Sequence, residues 1–206
     1  MKIDAPLLLE RMEEAWELPY EEELEGAILC EIDFTHEDVR GWEFRRCILR
    51  KCRLSEADMR RASFVDVVFD HCDFSGCRME DAVFHRVHFD TCRMTGADLV
   101  HTVLRQVRLE GCKADFLNLS QAKLDHVRFD GCVMPEAAME STILKSTEFA
   151  DCDLTRATIH MTPLKGIDLR TCRLDGLLVG IPDLRGLIVT EVQAAELARL
   201  LGLVVK

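Results

Sequence analysis

The chain has 206 residues, of which 48% are hydrophobic and 31% are charged, and its formal net charge is −11. This composition is typical of a single soluble domain. Because the sequence shows no apolar run long enough to cross a bilayer and no signal peptide, we expect no membrane association and a cytoplasmic location. The low pI of about 5.1, without a basic stripe carrying interleaved aromatic residues, argues against direct binding to nucleic acid.

The first predicted element is a short helix over residues 4–18. Asp4 is placed to cap its N-terminus, Pro6 lies in its first turn and Pro19 ends it. We assign residues 1–23 to an N-terminal helical cap. Such a cap is expected because the open end of a solenoid would expose apolar rungs and unpaired strand edges.

The longest element is a repeat that runs from residue 24 to residue 189. Every fifth position in it is apolar, starting at Leu24 and Leu29 and ending at Leu184 and Val189. Most positions two residues earlier are small or aliphatic. Neither the helical period of 3.6 nor the strand period of 2 fits this pattern. A short fixed period, with a unit too small to bury its own apolar face, is typical of a stacked solenoid.

A second, longer period lies on top of the first. Seven of the ten cysteines recur at every twentieth position: Cys52, Cys72, Cys92, Cys112, Cys132, Cys152 and Cys172. Four pentapeptides therefore make one coil, and equivalent residues should stack at about 4.8 Å, the spacing of paired strands. Since these cysteines follow the inward columns and the chain does not look secreted, we predict buried, reduced thiols in place of disulfides. The absence of a Cys-x-x-Cys pair gives no support to a zinc site.

Two segments show the repeat unit A(D/N)LXX directly, Ala57-Asp58-Met59 and Ala97-Asp98-Leu99. On these residues the chain resembles the pentapeptide-repeat family over about four fifths of its length. The resemblance implies a right-handed, four-sided β-helix in which the central Leu or Phe and the small residue two before it point inward. The expected fold class is an all-β solenoid over residues 24–189, with twenty residues per coil and short N-terminal and C-terminal α-helical caps.

Within the repeat, one local size swap is visible. Ala114 takes a central position, Leu117 takes a small-residue position, and Phe116 is expected to point outward. We favour compensated packing, in which the larger side chain fills the space left by the smaller one. The alternatives are a kink of the rod at this point or an exposed apolar site on its surface that binds other molecules.

Residues 190–206 are predicted to form a capping helix and a short strand. Thr190 and Gln193 match a capping box, and Gly202 is placed to end the helix. The tail includes the stretches Asp183-Leu184-Arg185-Gly186, Gln193-Ala194 and Leu200-Leu201-Gly202-Leu203-Val204-Val205. On these stretches it is similar to the C-terminal segment of the quinolone-resistance (Qnr) and mycobacterial fluoroquinolone-resistance members of the family, which implies a two-fold homodimer. The candidate interface consists of Ala194, Leu197, Ala198, Leu201, Leu203 and Val205. A plain C-terminal cap is the alternative.

An acidic column is predicted on the outside of the coil. Asp70, Asp90, Glu110 and Asp130 occupy the same outward site on successive coils. At a spacing of about 4.8 Å, neighbours repel by roughly 1 kcal/mol in water and about 3 to 4 kcal/mol at an effective dielectric near 20, so the column needs compensation or a function. Arg108 and Arg128, two residues before Glu110 and Asp130, offer compensation for half of it.

The resemblance to the resistance proteins implies a non-enzymatic DNA mimic that binds DNA gyrase or topoisomerase IV and modulates fluoroquinolone sensitivity. The overall acidity favours this hypothesis. However, residues 1–25 contain nine acidic and two basic residues, so −7 of the total −11 belongs to them and −4 to the remainder. The near-neutral rod favours the alternative, a general protein-interaction scaffold without DNA mimicry.

No catalytic, cofactor-binding or metal-binding residues are predicted. His85 and His88 are three residues apart, but a strand-like coil would point them in different directions and no third ligand converges with them. The other histidines have no Ser or Cys partner at a recognisable spacing, and no glycine-rich phosphate-binding loop is present.

Overall fold

The structure is a computed structural model that describes residues 2–17 and 22–204. Short strands form its first coils: β1 (Glu13–Ala15), β2 (Glu23–Glu25), β3 (Ala27–Cys30), β4 (Glu43–Arg45) and β5 (Ile48–Arg50). Eight-residue strands follow: β6 (Ser63–Asp70), β7 (Val83–Asp90), β8 (Val103–Glu110), β9 (Lys123–Asp130) and β10 (Ile143–Ala150). The last elements are β11 (Thr158–Ile159), β12 (Leu178–Val179), the 3-10 turn Ile181–Leu184, helix α1 (Glu191–Ala198) and the 3-10 turn Arg199–Leu201.

The strands of the repeat pair in parallel with a constant offset of one coil. Strands β6 and β7, for example, align Phe64 with Phe84 and Asp70 with Asp90. The main sheet runs in the order β1-β3-β5-β6-β7-β8-β9-β10, β2 pairs with β4, β4 also pairs with β6, and β11 pairs with β12. The expectation of a β-solenoid with 20 residues per coil is therefore confirmed, and the chain completes about eight coils.

Each coil has four sides of five residues. Positions 62–66 and their equivalents in other coils form side 1, and positions 67–71 form side 2. Positions 72–76 form side 3, and positions 77–81 form side 4. Sides 1 and 2 carry the long strands, whereas sides 3 and 4 are joined between coils by isolated parallel bridges.

The corners between sides rest on a backbone feature that the sequence analysis did not predict. From residue 26 to residue 166, every fifth residue has a positive φ. Glycine adopts this left-handed conformation without cost, but most of these positions carry other residues, such as Asp66 (φ 59°) and Phe116 (φ 57°). The chain adopts this unfavourable left-handed conformation at every one of these corners because each turn directs the next apolar side chain into the core.

Phe116 gives a test of this corner strain. Its side chain is 56% exposed and its φ is 57°. Replacing Phe116 with Gly is expected to raise the free energy of unfolding by up to about 1 kcal/mol, because glycine relieves the left-handed strain. Denaturant unfolding measures the change. The reverse substitution, Gly96→Val at φ 66° with no atom near the new Cβ, should destabilise the coil. A stabilised Gly96→Val variant would contradict the argument.

The core is a continuous column of inward side chains. Phenylalanine rings stack between coils, with centroids 5.0 Å apart for Phe44 and Phe64 and again for Phe64 and Phe84. Ala114 and Leu117 are both buried and the coil continues through them, which is the compensated packing expected of the size swap. Phe116 points outward as predicted.

All ten cysteines are free and buried, as predicted. Seven of the thiols donate to backbone carbonyls of the preceding coil, for example from Cys72 Sγ to the Leu49 oxygen at 3.2 Å. Burial raises the pKa of the Cys47 and Cys77 thiols. A thiolate at either position would lose its hydration, so Cys47 and Cys77 remain protonated and act as small packing residues.

The prediction of an N-terminal helix is wrong. No helix occurs in residues 2–17, and the chain there runs as an extended segment along the coil until β1, which pairs in parallel with β3. Backbone N–H groups of this segment donate hydrogen bonds to side chains of the coil. Asp4 N donates to Gln106 Oε1 at 3.0 Å, and Leu7 N donates to Asp66 Oδ1 at 2.9 Å. A short isolated helix is marginal in water, so these contacts prevail over the local helix signals. The N-terminal end is thus covered by a strand.

The C-terminal helix is confirmed. Thr190 Oγ1 accepts from Gln193 N at 3.3 Å, and Gln193 Oε1 accepts from Thr190 N at 2.8 Å, which is the predicted capping box. Gln193 Nε2 also donates to the Leu169 and Cys172 carbonyls, both at 2.8 Å, and so ties the helix to the last coil. Gly202 ends the helical region with φ 75°. The strand predicted at 203–205 is not formed at residues 203 and 204, and Val205 lies outside the described residues.

Candidate functional site

The four acidic residues of the predicted column do lie together. Strand pairing aligns Asp70 with Asp90, Asp90 with Glu110, and Glu110 with Asp130 on side 2. Their position on the long strands β6 to β9 fixes the spacing between coils at about 4.8 Å. The column is therefore a real geometric feature of the rod.

Arginines neutralise most of this column. The pairs are Arg50 with Asp70 at 3.1 Å, Arg108 with Glu110 at 3.0 Å and Arg128 with Asp130 at 3.0 Å. The hydrogen bond from His71, helped by Arg50, holds the pKa of Asp70 below its ordinary value. Asp90 accepts from the Thr91 hydroxyl at 2.8 Å, and no basic side chain of the described chain lies within 4.0 Å of it. The sequence predicted compensation for half of the column, and the structure supplies it for three of the four residues.

The column also carries a lower density of negative charge than duplex DNA. Duplex DNA carries one negative charge per about 1.7 Å of axis, so the roughly 14 Å spanned by four carboxylates would hold about eight phosphates. Even without its arginines, the column would supply about half of that charge. Its regular spacing is thus better suited to discrete ion pairs with a protein than to imitation of a phosphate backbone.

The N-terminal segment adds a feature that sequence reasoning missed. Residues 3–9, which we term the N-terminal strap, run along the corner between sides 1 and 2, from Gln106 past Asp66 to Gly26. Together with His88, Arg108 and Arg128 of side 2, the strap lines a cleft of about 420 Å³. Arg108 Nε is buried there without a hydrogen-bond partner in the part of the chain that the structure describes. The strap therefore limits access to part of the charged surface.

An ion pair between the buried Asp66 and the partly buried Arg86 anchors the strap. Asp66 is only 3% exposed and accepts two hydrogen bonds from Arg86, from Nε at 2.6 Å and from Nη2 at 2.7 Å, in addition to the one from Leu7 N. Burial alone would raise the pKa of Asp66, but the bonds from Arg86 and Leu7 outweigh it and the pKa lies below its ordinary value. The opposite charges at equivalent corners of successive coils were the sequence signal for this pair.

The candidate dimer residues do not form one exposed face. Leu197 is half-buried and packs against the core, Ala198 is half-buried, and Ala194 is exposed. Leu203 is 56% exposed, while the side chain of Leu201 and all of Val205 lie outside the described structure. The sequence analysis missed Val192 and Val204, which are 72% and 83% exposed.

Metal binding finds no support in the arrangement of the histidines. His85 contacts Arg86 on side 1, whereas His88 lies on side 2 near Glu110. Across residues 2–17 and 22–204, no group of three or more potential metal ligands converges. No helix in these ranges is long and apolar enough to span a membrane.

The coil of parallel five-residue sides defines this chain as a quadrilateral β-solenoid. The family profile of the pentapeptide repeat region matches residues 42–118 and 82–159, which together cover more than half of the chain. The chain therefore belongs to the pentapeptide-repeat family.

Solved structures of the same fold are similar to it at low sequence identity. HetL, a pentapeptide repeat protein involved in heterocyst differentiation regulation from the cyanobacterium Nostoc sp. strain PCC 7120, is 15% identical with a TM-score of 0.43, over 82% of this chain and 90% of HetL. Full-length QnrB1, a plasmid-mediated fluoroquinolone resistance protein, is 17% identical with a TM-score of 0.45, over 93% of this chain and 98% of QnrB1. No curated protein sequence matches this chain significantly.

Proposed function

We propose that the protein acts without catalysis, as a rigid rod that binds a protein partner along one of its sides. The observation that carries this proposal is the alignment of outward side chains into straight columns across the eight-residue strands β6 to β10. Columns of this kind present charges and apolar groups at fixed intervals over several coils.

The packed interior supports this proposal because it keeps the surface rigid. Central side chains such as Phe64, Phe69 and Leu124 expose no more than 1% of their area to solvent. The sides therefore cannot deform without opening the core. A surface whose side chains are already ordered loses less conformational entropy when a partner binds. Rigidity along the whole rod thus favours side-on recognition.

Paired charge reversals on separate sides test this proposal. The variants are Arg105→Glu/Lys123→Glu on side 1, Asp90→Lys/Glu110→Lys on side 2, Arg93→Glu/Lys113→Glu on side 3 and Asp98→Lys/Glu140→Lys on side 4. Each is used as bait for proteins of the cells that make this chain. We expect a specific partner of the wild-type rod to be lost with the variant of one side and retained with the others. Equal retention by every variant would contradict side-on binding.

We propose a type II DNA topoisomerase, gyrase or topoisomerase IV, as a second and more specific candidate partner. Support comes from the net charge of −11, from the resemblance of the C-terminal segment to the resistance proteins, and from Asp90, the column residue that has no basic partner in the described chain. In the topoisomerase proposal, side 2 of the rod occupies the DNA-binding surface of the enzyme and alters the sensitivity of the enzyme to fluoroquinolones. Because arginines already pair with the other three acidic residues of the column, the contact with the enzyme would be a discrete ion pair made by Asp90.

A supercoiling assay with purified gyrase, with and without a fluoroquinolone, tests this candidate. Wild-type protein should inhibit or protect at micromolar concentration, and the effect should weaken as salt rises. Asp90→Lys should weaken it by about tenfold, since one ion pair becomes a repulsion. The control Asp115→Lys, which makes the same charge change on side 3, should leave it intact. Equal effects of the two variants, or no inhibition by the wild type, would exclude the candidate.

We further propose that two copies associate through the C-terminal segment. The exposed apolar side chains Val192, Leu203 and Val204 favour this, because such a group at one end of a charged rod would otherwise face water. Sedimentation should give the mass of two chains, and Leu203→Asp should give that of one. Val133→Asp on side 3 is the control. A wild-type mass of one chain would contradict the proposal.

A reducing compartment, the cytoplasm, fits the chemistry of the core. All ten cysteines are free thiols. Disulfides form and persist mainly in oxidising compartments, so a chain with this many thiols and no bridge is best suited to reducing conditions.

A further inference from the structure

The exposed large apolar side chains of the long strands β6 to β10 both lie on side 1. The outer column of β7, β8 and β10 contains Val83, Val103 and Ile143, with Lys123 of β9 between the last two. Val83 is 41% exposed and Ile143 is 56% exposed. These exposed apolar groups, which share one outward column of the sheet, indicate a contact surface.

The same side carries cations without partners. Arg105, Lys123 and Lys165 have no carboxylate within 4.0 Å in the described chain. Lys145 is paired with Asp125 at 2.9 Å, and the carboxylate of Asp66 is used by Arg86. Between residues 105 and 165, side 1 therefore presents free positive charge in a chain of net charge −11.

The two outward columns of side 1 place these groups in alternation. Register aligns Val83 with Val103 in one column, and His85 with Arg105 in the other. Residues two apart on a strand are separated by about 6.6 Å, so each exposed apolar group lies within reach of a neighbouring cation. Burial and the adjacent Arg86 lower the pKa of His85, so this residue adds hydrogen bonding but no charge at neutral pH.

We propose that side 1 is the docking surface for a protein segment that alternates acidic and apolar residues. This inference rests on the proposed side-on binding and names the side and the chemistry of the partner. The acidic residues of the segment pair with Arg105, Lys123 and Lys165, and its apolar residues cover Val83 and Ile143. A phosphate backbone would satisfy the cations but would leave Val83 and Ile143 exposed, so a protein partner is favoured over a nucleic acid.

Fluorescence anisotropy with a short labelled peptide of alternating Glu and Leu tests the proposal. The wild-type protein should bind this peptide more tightly than labelled poly-Glu, a Lys-Leu peptide or labelled duplex DNA. The double variant Arg105→Glu/Lys123→Glu should weaken binding by about tenfold or more. Arg93→Glu/Lys113→Glu makes the same charge change on side 3 and should not.

The apolar contribution has its own matched pair of variants. Val83→Ser should weaken binding of the Glu-Leu peptide, whereas Val133→Ser on side 3, where the valine is also 41% exposed, should not. Equal losses for sides 1 and 3, tighter binding of duplex DNA, or no binding of the peptide would overturn the proposal. If the side 1 charge variant also keeps a cellular partner that a variant of another side loses, this inference fails while side-on binding stands.

Discussion

Replacing Phe69 with Ala should lower the free energy of unfolding by about 3 to 5 kcal/mol, the usual cost of deleting a fully buried phenyl ring. Phe69 lies at the centre of an aromatic cluster, with ring centroids 5.4 Å from Phe64, 5.0 Å from Phe74 and 4.9 Å from Phe89. The cavity would remove contacts within its own coil and with the next coil at once. Denaturant unfolding followed by circular dichroism measures the change.

Phe116→Ala is the control for this prediction, because it makes the same chemical change on the surface. We expect little loss from it, since the Phe116 side chain is 56% exposed. Comparable destabilisation by the two variants would mean that the inward column is not the source of stability. A small effect of Phe69→Ala alone would have the same meaning.

Replacing Asp66 with Ala should lower stability by about 2 kcal/mol, because the partly buried Arg86 guanidinium would lose its charge-assisted hydrogen bonds. Arg86 and the Leu7 N–H would both lose their acceptor. We also expect the N-terminal strap to detach, so that trypsin cleaves after the exposed Arg11 faster than in the wild type. Unfolding measurements and limited proteolysis report the two effects separately.

Asp168→Ala is the matched control, since it removes an exposed carboxylate that pairs with Arg170 at 2.7 Å. Exposed pairs contribute little, so stability and cleavage at Arg11 should both stay near wild type. The pKa of Asp66 is lowered in the folded state, so its contribution is complete above about pH 4 and is lost as the pH falls below the ordinary aspartate value. The difference between the wild type and Asp66→Ala should shrink in that acidic range. A constant difference down to low pH would contradict the ion-pair explanation.

The coil itself was predictable because its rule is repeated in every unit. An apolar residue at each fifth position and a cysteine at each twentieth fix the inward columns, the coil length and the parallel register, and the structure confirms them. The capping box at Thr190 was equally predictable, because it depends only on residues three apart. These features require local or periodic information alone.

The strap and the charge compensation were not predictable in the same way. Helix signals at Asp4 and Pro6 are local, whereas the contacts that prevail join Asp4 to Gln106 and Leu7 to Asp66 across the fold. The pairing of Arg50 with Asp70 likewise crosses from one coil to the next. A search for opposite charges one coil apart would have found both this pair and the one between Asp66 and Arg86. It would have weakened the phosphate-like interpretation of the acidic column before the fold was known.

Photo-crosslinking to the partner recovered by affinity purification tests side-on binding most directly. Benzoylphenylalanine is placed one position at a time at Val83 and Ile143 on side 1, at Val133 on side 3, at Glu140 on side 4 and at Val192 beyond the last coil. We predict cross-links from Val83 and Ile143, three coils apart on one side, and none from the other three positions. Cross-links from Val192 alone, or equally from all five positions, would contradict a rod that binds its partner along one side.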